Sequence, residues 1–200
     1  MGEYNKDINS ASSWNEIYLE GDAGWDIGRP SPPFEALLKR GAEWLKTGSL
    51  INFGAGAGHD AKLFADAGFD VTAIDFAEEA IKLCNAKGLK AEAADLFELD
   101  AFANSFDYVL EHTCYCAIDR SRLAEYRDSA HKVLKSGGVL FGLFYRFDDE
   151  NDAKGPPFWT SEDDIRKVFA EKFEILEMTV PEESLKKRKG RERLIAMRAL

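Results

Sequence analysis

Along most of this chain, short apolar runs alternate with longer stretches whose apolar residues recur at helical spacing. The runs "SLINF", "DVTAID", "LKAEAAD", "FDYVLE" and "GGVLFGLFY" predict strands, the third of them weak. Between them, "HDAKLFADAG" and "AEEAIKLCNAKG" predict helices that stop at Gly68 and Gly88, and "RSRLAEYRDSAHKVLK" predicts another. A loop, a helix through "SEDDIRKVFAE" and two strands, "FEILEMTV" and "RLIAMRA", complete the pattern. Strands that alternate with helices of this length build β-α-β units and a mostly parallel sheet, and right-handed crossovers put helices on both faces. The last two strands follow one another without a helix, so one of them should run antiparallel.

Residues 1–48 follow a different pattern. Ser12 or Ser13 is placed to cap a helix through "WNEIYLE", with Glu16 near the capping-box position. "GDAGWDIGRPSPPF" is rich in Gly and Pro and reads as a loop carrying Trp25. "FEALLKRGAEWLKTG" returns to helical spacing, with a stop at Gly48. The expectation is one domain in which a helical cover, 1–48, sits on an α/β core, 49–200. No internal repeat or low-complexity tract suggests a second.

Composition narrows the setting. A chain of 200 residues with 45% apolar residues and 14 Phe can bury one sizeable core. No apolar run approaches the roughly 20 residues of a membrane helix, and the start, "MGEYNKDINSASS", has no apolar signal core. A soluble, cytoplasmic monomer is expected. A formal net charge of −10 opposes general nucleic-acid binding, which leans on Lys and Arg against phosphate, and opposes docking on an anionic membrane. The run "KKRKGRER", 186–193, departs from that balance: it is either a solvated loop leading into the last strand or a local rim that attracts anions. The three cysteines, Cys84, Cys114 and Cys116, form no disulfide pattern, and Cys84 falls on the apolar side of its helix as a small buried hydrophobe.

The clearest chemical signal is "INFGAGAGHD", between the first strand and its helix. Gly54, Gly56 and Gly58 alternate as G-x-G-x-G, which permits positive φ and a close approach of backbone to ligand. Open α/β sheets bind ligands at the carboxyl ends of their strands, where strand order switches. A dinucleotide fingerprint is G-x-G-x-x-G, but His59 stands where its third glycine belongs, and the Lys of a P-loop is missing. Asp75 ends the second strand, where an acid can accept hydrogen bonds from both hydroxyls of a ribose.

This glycine spacing resembles the first motif of class I S-adenosylmethionine-dependent methyltransferases, with Asn52 where an acid is usual. In order along the chain, "WDIGRPSPPF", "GAGAGHDA", "VTAIDFAEEAI", "FDYVLEHTCYCAID", "GPPF" and "RKGRERL" together resemble the thiopurine methyltransferase superfamily, nearest its halide and thiol methyltransferases. The resemblance implies a Rossmann-like α/β fold: a seven-stranded, mostly parallel sheet with an antiparallel last strand and an N-terminal helical cover. It implies S-adenosyl-L-methionine as cofactor, S-adenosyl-L-homocysteine as product and a small-molecule acceptor. Carried across by position, Gly54, Ala55, Gly56 and Gly58 form the cofactor loop, Cys being usual at the Ala55 position. Asp75, with Phe76 beside it, binds the ribose, and Asp95 and Leu96 flank the adenine. Trp14, Tyr18 and Trp25 belong to an aromatic cover, Tyr18 standing where Trp is commoner. Glu111, His112 and Thr113 lie near the methionine part of the cofactor, and the thiopurine branch has Arg at the His112 position. Trp25, Pro156 and Phe158 edge the acceptor pocket.

The implied reaction is an in-line displacement at the methyl of a sulfonium. A thiolate, halide or related soft anion needs no dedicated base, so catalysis can rest on holding the attacking atom about 3 Å from the methyl in a dry aromatic pocket. His112 is either the base for a neutral thiol or a polar wall residue. Two other classes compete. A nicotinamide-dependent oxidoreductase is disfavoured by the glycine spacing, and a non-catalytic S-adenosylmethionine-binding protein by the retained Asp75 and "GPPF". The C-x-C of "EHTCYCAID" has no second Cys/His pair to complete a zinc site and is not C-x-x-C, so no metal is expected and both cysteines read as packing. The acceptor stays open among halides, bisulfide, organic thiols, thiopurines and oxyanions of tellurium or selenium.

Overall fold

A computed structural model describes residues 7–21, 23–147 and 155–200. The start of the polar N-terminal stretch and the middle of the loop after the fifth strand lie outside the described residues. Strands β1 (Ser49–Phe53), β2 (Asp70–Asp75), β3 (Lys90–Ala93), β4 (Phe106–His112), β5 (Leu134–Tyr145), β6 (Phe173–Thr179) and β7 (Glu192–Ala199) form one sheet in the order β3-β2-β1-β4-β5-β7-β6. Every neighbouring pair is parallel except those of β7, which runs antiparallel to both β5 and β6. The seven-stranded sheet with a reversed last strand is therefore as expected. The helices are α1 (Ala11–Glu20), α2 (Pro32–Arg40), α3 (His59–Asp66), α4 (Glu78–Ala86), α5 (Leu123–Val133) and α6 (Glu162–Phe169).

Strand side chains alternate between faces, and both faces are covered, so the central strands read as almost unbroken apolar runs. Leu50, Val71, Leu110, Phe141 and Leu194 pack on one face with Phe34 and Leu37 of α2, Ala61 and Phe64 of α3 and Cys84 of α4. Ile51, Ile74, Val109, Leu140 and Ile195 pack on the other with Tyr126 and Ala130 of α5 and Ile165 and Phe169 of α6. α6 begins with a reciprocal cap between Ser161 and Asp164, worth about 1 kcal/mol.

Local boundaries depart from expectation where one residue outweighs periodicity. α1 starts earlier, with Ser10 at its N-cap, so the box between Ser12 or Ser13 and Glu16 does not form; the Ser10 hydroxyl meets that of Ser12 at 2.7 Å instead. α2 ends at Gly41, not Gly48. Gly41 turns left-handed, φ 67°, and its N–H returns to the Leu37 carbonyl. Helical spacing continues past it in sequence because Leu45 is still buried against the core, but the segment is a turn. β5 begins at Leu134, ahead of the two glycines expected to open it. Among the described residues, no helix is long and apolar enough to cross a membrane.

Strand order reverses between β1 and β4. The loops leaving their carboxyl ends, 54–58 and 113–117, therefore flank the crevice where such sheets bind ligands.

Candidate active site

After Phe53 the chain passes through Gly54, Gly56 and Gly58 at φ 55°, 56° and 74°, conformations that suit glycine. Space is short as well: a Cβ on Gly54 would lie 2.9 Å from Cys114 Sγ, and one on Gly58 would lie 2.7 Å from Cys84 Sγ. At Gly56 it would stand 3.1 Å from the Tyr18 hydroxyl. Asp75 fastens the loop from the next strand, its Oδ2 accepting the Gly56 N–H at 2.9 Å and its Oδ1 the Ala77 N–H at 2.9 Å. Burial raises the Asp75 carboxyl above its ordinary value even though these amides and that of Phe76 pull the other way. Asn52 explains its own departure from the usual acid: its Nδ2 donates to the Phe53 and Leu110 carbonyls, both at 3.2 Å, which an ionised carboxylate cannot do.

α1 lies over this end of the sheet, its Asn15 Oδ1 capping α4 by accepting the Glu79 N–H. Trp14 and Tyr18 each meet Trp25 edge to face, with ring centroids 5.6 and 5.9 Å apart. Desolvation and the nearby Asp75 push the Tyr18 hydroxyl far above its ordinary range, so it stays neutral. A groove of about 360 Å³ runs between α1 and the ends of β2 and β3, lined by Ser12, Asn15, Phe76, Glu78 and Asp95 among others. Leu96 turns away from it into the core on the α5 side. A second depression, of about 390 Å³, lies at the amino ends of β4 and β5, the wrong end of the sheet for ligand chemistry.

On the β4 side, three side chains distant in sequence meet. His112 Nδ1 is 2.6 Å from Asp60 Oδ2, and Arg188 Nη1 is 2.5 Å from His112 Nε2. A guanidinium can only donate, so Nε2 must be the acceptor and the ring proton must sit on Nδ1, facing Asp60. Asp60 Oδ1 also accepts the Ser31 N–H at 2.7 Å. Burial would raise the Asp60 carboxyl, but His112, the Ser31 amide and the Arg188 charge outweigh it and hold it below its ordinary value. Arg188 Nη2 donates to the Trp25 carbonyl at 2.7 Å, so the same arginine ties down the cover. It is only 9% exposed, which places this part of the basic run in the site rather than in a solvated loop.

The segment 111–119 joins the two sides. Glu111 is wholly buried, and its carboxylate accepts the Cys114 and Tyr115 N–H groups and the Tyr126 hydroxyl. Its side chain thus points to the α5 face and anchors the loop. Burial pushes its carboxyl up to about 7, with those donors and His112 pulling down. Thr113 is held at φ 59°, a strained conformation for a β-branched residue and one that gathers at functional sites. Cys114 backs Gly54, and Cys116 Sγ donates to the Thr113 carbonyl. Phe158 N donates to the Cys116 carbonyl at 2.6 Å, and the Phe158 ring lies where a Cβ on Gly155 would be. Pro156 stands half-buried between them.

Residues 9–199 match the family model for thiopurine S-methyltransferase. The chain belongs to the thiopurine S-methyltransferase family. It is an S-adenosylmethionine-dependent methyltransferase with the Rossmann-like fold that the sequence resemblance implied, and the nicotinamide alternative is set aside. Its relatives include probable thiol methyltransferase 2 of Arabidopsis thaliana, 28% identical over 195 residues, covering 93% of this chain and 84% of that protein. Thiocyanate methyltransferase 1 of Brassica oleracea is 26% identical over 189 residues, covering 90% and 82%. A solved structure concerned with conversion of a disulfide bond into a thioacetal group during echinomycin biosynthesis superposes with a TM-score of 0.71 at 26% identity, over 88% of this chain and 84% of that one. The 1,6-didemethyltoxoflavin-N1-methyltransferase of Burkholderia thailandensis shares the fold, with a TM-score of 0.75 at 20% identity over 94% and 86%.

Two residues of this methyltransferase's site escape a reading of its sequence. Asp60 follows the glycine motif directly but looks like an ordinary first-turn helix acid. Arg188 is one of several cations in a run, and nothing local distinguishes it from Lys187 or Lys189.

Proposed function

We propose that this methyltransferase transfers a methyl group to a small soft sulfur nucleophile, a thiol or a thiocyanate-like anion, gathered at Arg188. One observation carries the reading. The buried guanidinium spends two N–H groups on His112 and the Trp25 carbonyl, while an arginine has about five to give. The remainder can meet an anion at low cost, because the charge is already desolvated and held. The names of the thiol and thiocyanate methyltransferase relatives point the same way. Halides share the charge and softness and belong to the same acceptor class. A cytoplasmic monomer is the working form we infer.

The residues present fit S-adenosylmethionine. Asp75 and the groove beside Phe76 and Asp95 suit a ribose and its base, and the crowded glycine loop suits close backbone approach. The faces of Trp14, Tyr18 and Trp25 suit a cation. When bound, the cofactor supplies an electrophilic methyl on a sulfonium. The chain's own work is then to strip water from the acceptor, neutralise it at Arg188 and hold it in line. His112 acts as a positioning residue: with Nδ1 protonated toward Asp60 and its Nε2 lone pair given to Arg188, it has no lone pair left for a thiol proton.

The test is a panel: purified protein, methyl-labelled S-adenosylmethionine and, separately, thiocyanate, bisulfide, iodide, small alkyl and aryl thiols and a thiopurine. Methylated thiols or thiocyanate at saturable rates are expected. Turnover of the thiopurine alone would overturn the reading.

A further inference from the structure

Glu192 opens β7 with a carboxylate that is 0% exposed and accepts no hydrogen bond at either oxygen. Buried carboxylates are almost always paired or hydrogen-bonded, because the water they give up must be replaced. Among the described residues, the other two buried acids follow that rule: Asp75 is spent on the glycine loop and Glu111 on three donors. Glu192 is the exception, and its place gives the exception meaning. It pairs with Tyr145 across β5, and strand alternation puts it on the sheet face of Leu194, Leu143 and His112. The Tyr145 ring carries the guanidinium centres of Arg188 at 5.7 Å and Arg191 at 5.4 Å. The orphaned carboxylate therefore stands at the carboxyl end of the sheet, on the acceptor side, beside the aromatic that Arg188 leans on.

We propose that Glu192 takes the proton from a neutral thiol acceptor met by the N–H groups that Arg188 has left over from His112 and Trp25, an inference that rests on the thiol reading above. The thiol S–H bond breaks and its proton passes to a Glu192 oxygen. The sulfur lone pair forms the new S–CH₃ bond, and the methyl–sulfonium bond breaks with its electron pair staying on the cofactor's sulfur, leaving a thioether. The proton leaves Glu192 for solvent as the product departs. The competing bases are committed: His112 to Arg188, Asp60 to His112 and Ser31, Glu111 to the opposite face. Charged and titratable groups on this side of the sheet include Tyr145 from β5, Arg188 and Arg191 from the preceding segment, and the His112–Asp60 pair behind Arg188. Burial keeps water from competing for the thiol.

The test compares wild type with Glu192→Gln, of the same shape, and Glu192→Asp, which keeps the carboxylate. With an alkyl thiol, Glu192→Gln should lose on the order of 10²–10⁴-fold in kcat/KM, the usual range for a general base, and Glu192→Asp should recover part of it. With iodide, which carries no proton, the loss should be at least tenfold smaller. A second readout needs no turnover. 4-Methylbenzenethiol, whose thiolate has its own ultraviolet absorbance, is titrated with pH on protein filled with S-adenosylhomocysteine. Its bound ionisation midpoint should lie higher on wild type than on Glu192→Gln, because a carboxylate beside the sulfur opposes a second negative charge. Equal losses with thiol and iodide, or equal midpoints, would overturn the inference and leave methyl transfer intact. A wild type that methylates no thiol would instead remove the acceptor reading on which it rests.

Discussion

The cofactor side and the acceptor side of this site are held together by different kinds of contact. Around the glycine loop, main-chain amides meet acids: Gly56 and Ala77 donate to Asp75, and Ala55 donates to the Ile74 carbonyl. Around His112, side chains meet side chains from far along the chain. Asp60 comes from 52 residues away and Arg188 from 76, and Arg188 then reaches the Trp25 carbonyl across 163. A site half built on backbone tolerates drift in side chains, as Ala55 and Asn52 show. A half built on a relay of side chains does not, because each member fixes the protonation of the next. Arg in place of His112, as in the thiopurine branch, would set two guanidinium groups face to face and require a different charge arrangement. The acceptor should therefore vary within such a fold more readily than the cofactor.

The contrast breaks most sharply at Arg188. Arg188→Ala should lower kcat/KM for an anionic acceptor by on the order of a hundredfold or more, the cost of removing one partner of a buried charge pair being roughly 2–5 kcal/mol. Affinity for S-adenosylhomocysteine, measured by calorimetry, should change by no more than about threefold. Equal damage to both ligands would mean that the two sides are one unit joined through the cover. Arg188→Lys keeps the charge but not the fork, and should recover only part of the loss.

Glu111 lies under the seam and tests both sides at once. Its carboxyl is raised to about 7 from an ordinary 4.5, chiefly by burial. The folded chain thus binds this proton more tightly than the unfolded one. Its stabilisation is complete below about pH 4.5, is lost as pH rises toward 7 and changes little above that. At about 1.4 kcal/mol per pH unit the loss is about 3 kcal/mol. Thermal melts should fall between pH 5 and 8 in wild type and fall less in Glu111→Gln. Asp75, raised in the same direction, keeps the variant's slope from vanishing. Parallel slopes in the two proteins would show that the carboxylate is not desolvated as described.

Asp75 is the matching probe of the cofactor side. Asp75→Ala should weaken S-adenosylhomocysteine by roughly 10- to 100-fold, the range for losing hydrogen bonds to a charged group. The acceptor KM at saturating cofactor should hold. A rise in that KM would mean the glycine loop also shapes the acceptor pocket.

What could be read in advance follows the same division. The succession of strands and helices, an antiparallel strand near the end and the glycine loop were legible because periodicity and backbone requirements are local. Asp75 was legible because it ends a strand. Gly41 was missed as a stop because the apolar spacing runs on through Leu45, which stays buried without being helical. The Asp60–His112–Arg188 relay was missed because its members share no segment. The anchoring role of Glu111 was missed because one residue along a strand is the difference between its two faces, and Glu111 and His112 straddle that difference.

The smallest expected effect concerns the cysteines of "EHTCYCAID". Burial first, and then the nearby Glu111, push both the Cys114 and Cys116 thiols well above their ordinary value, so neither is a thiolate at neutral pH. Cys116 Sγ donates to the Thr113 carbonyl, and its own carbonyl receives the Phe158 amide. Cys116→Ser keeps a donor at that place and leaves the main chain untouched. It should leave acceptor turnover within about twofold and cost about 1 kcal/mol of stability, a common size for a buried substitution. Iodoacetamide should label the native chain slowly at Cys116 and quickly only after denaturant is added. Rapid native labelling, or a tenfold loss of turnover at unchanged cofactor affinity, would put a reactive thiol in the seam. The acceptor side would then owe its chemistry to sulfur from the chain as well as to the charge of Arg188.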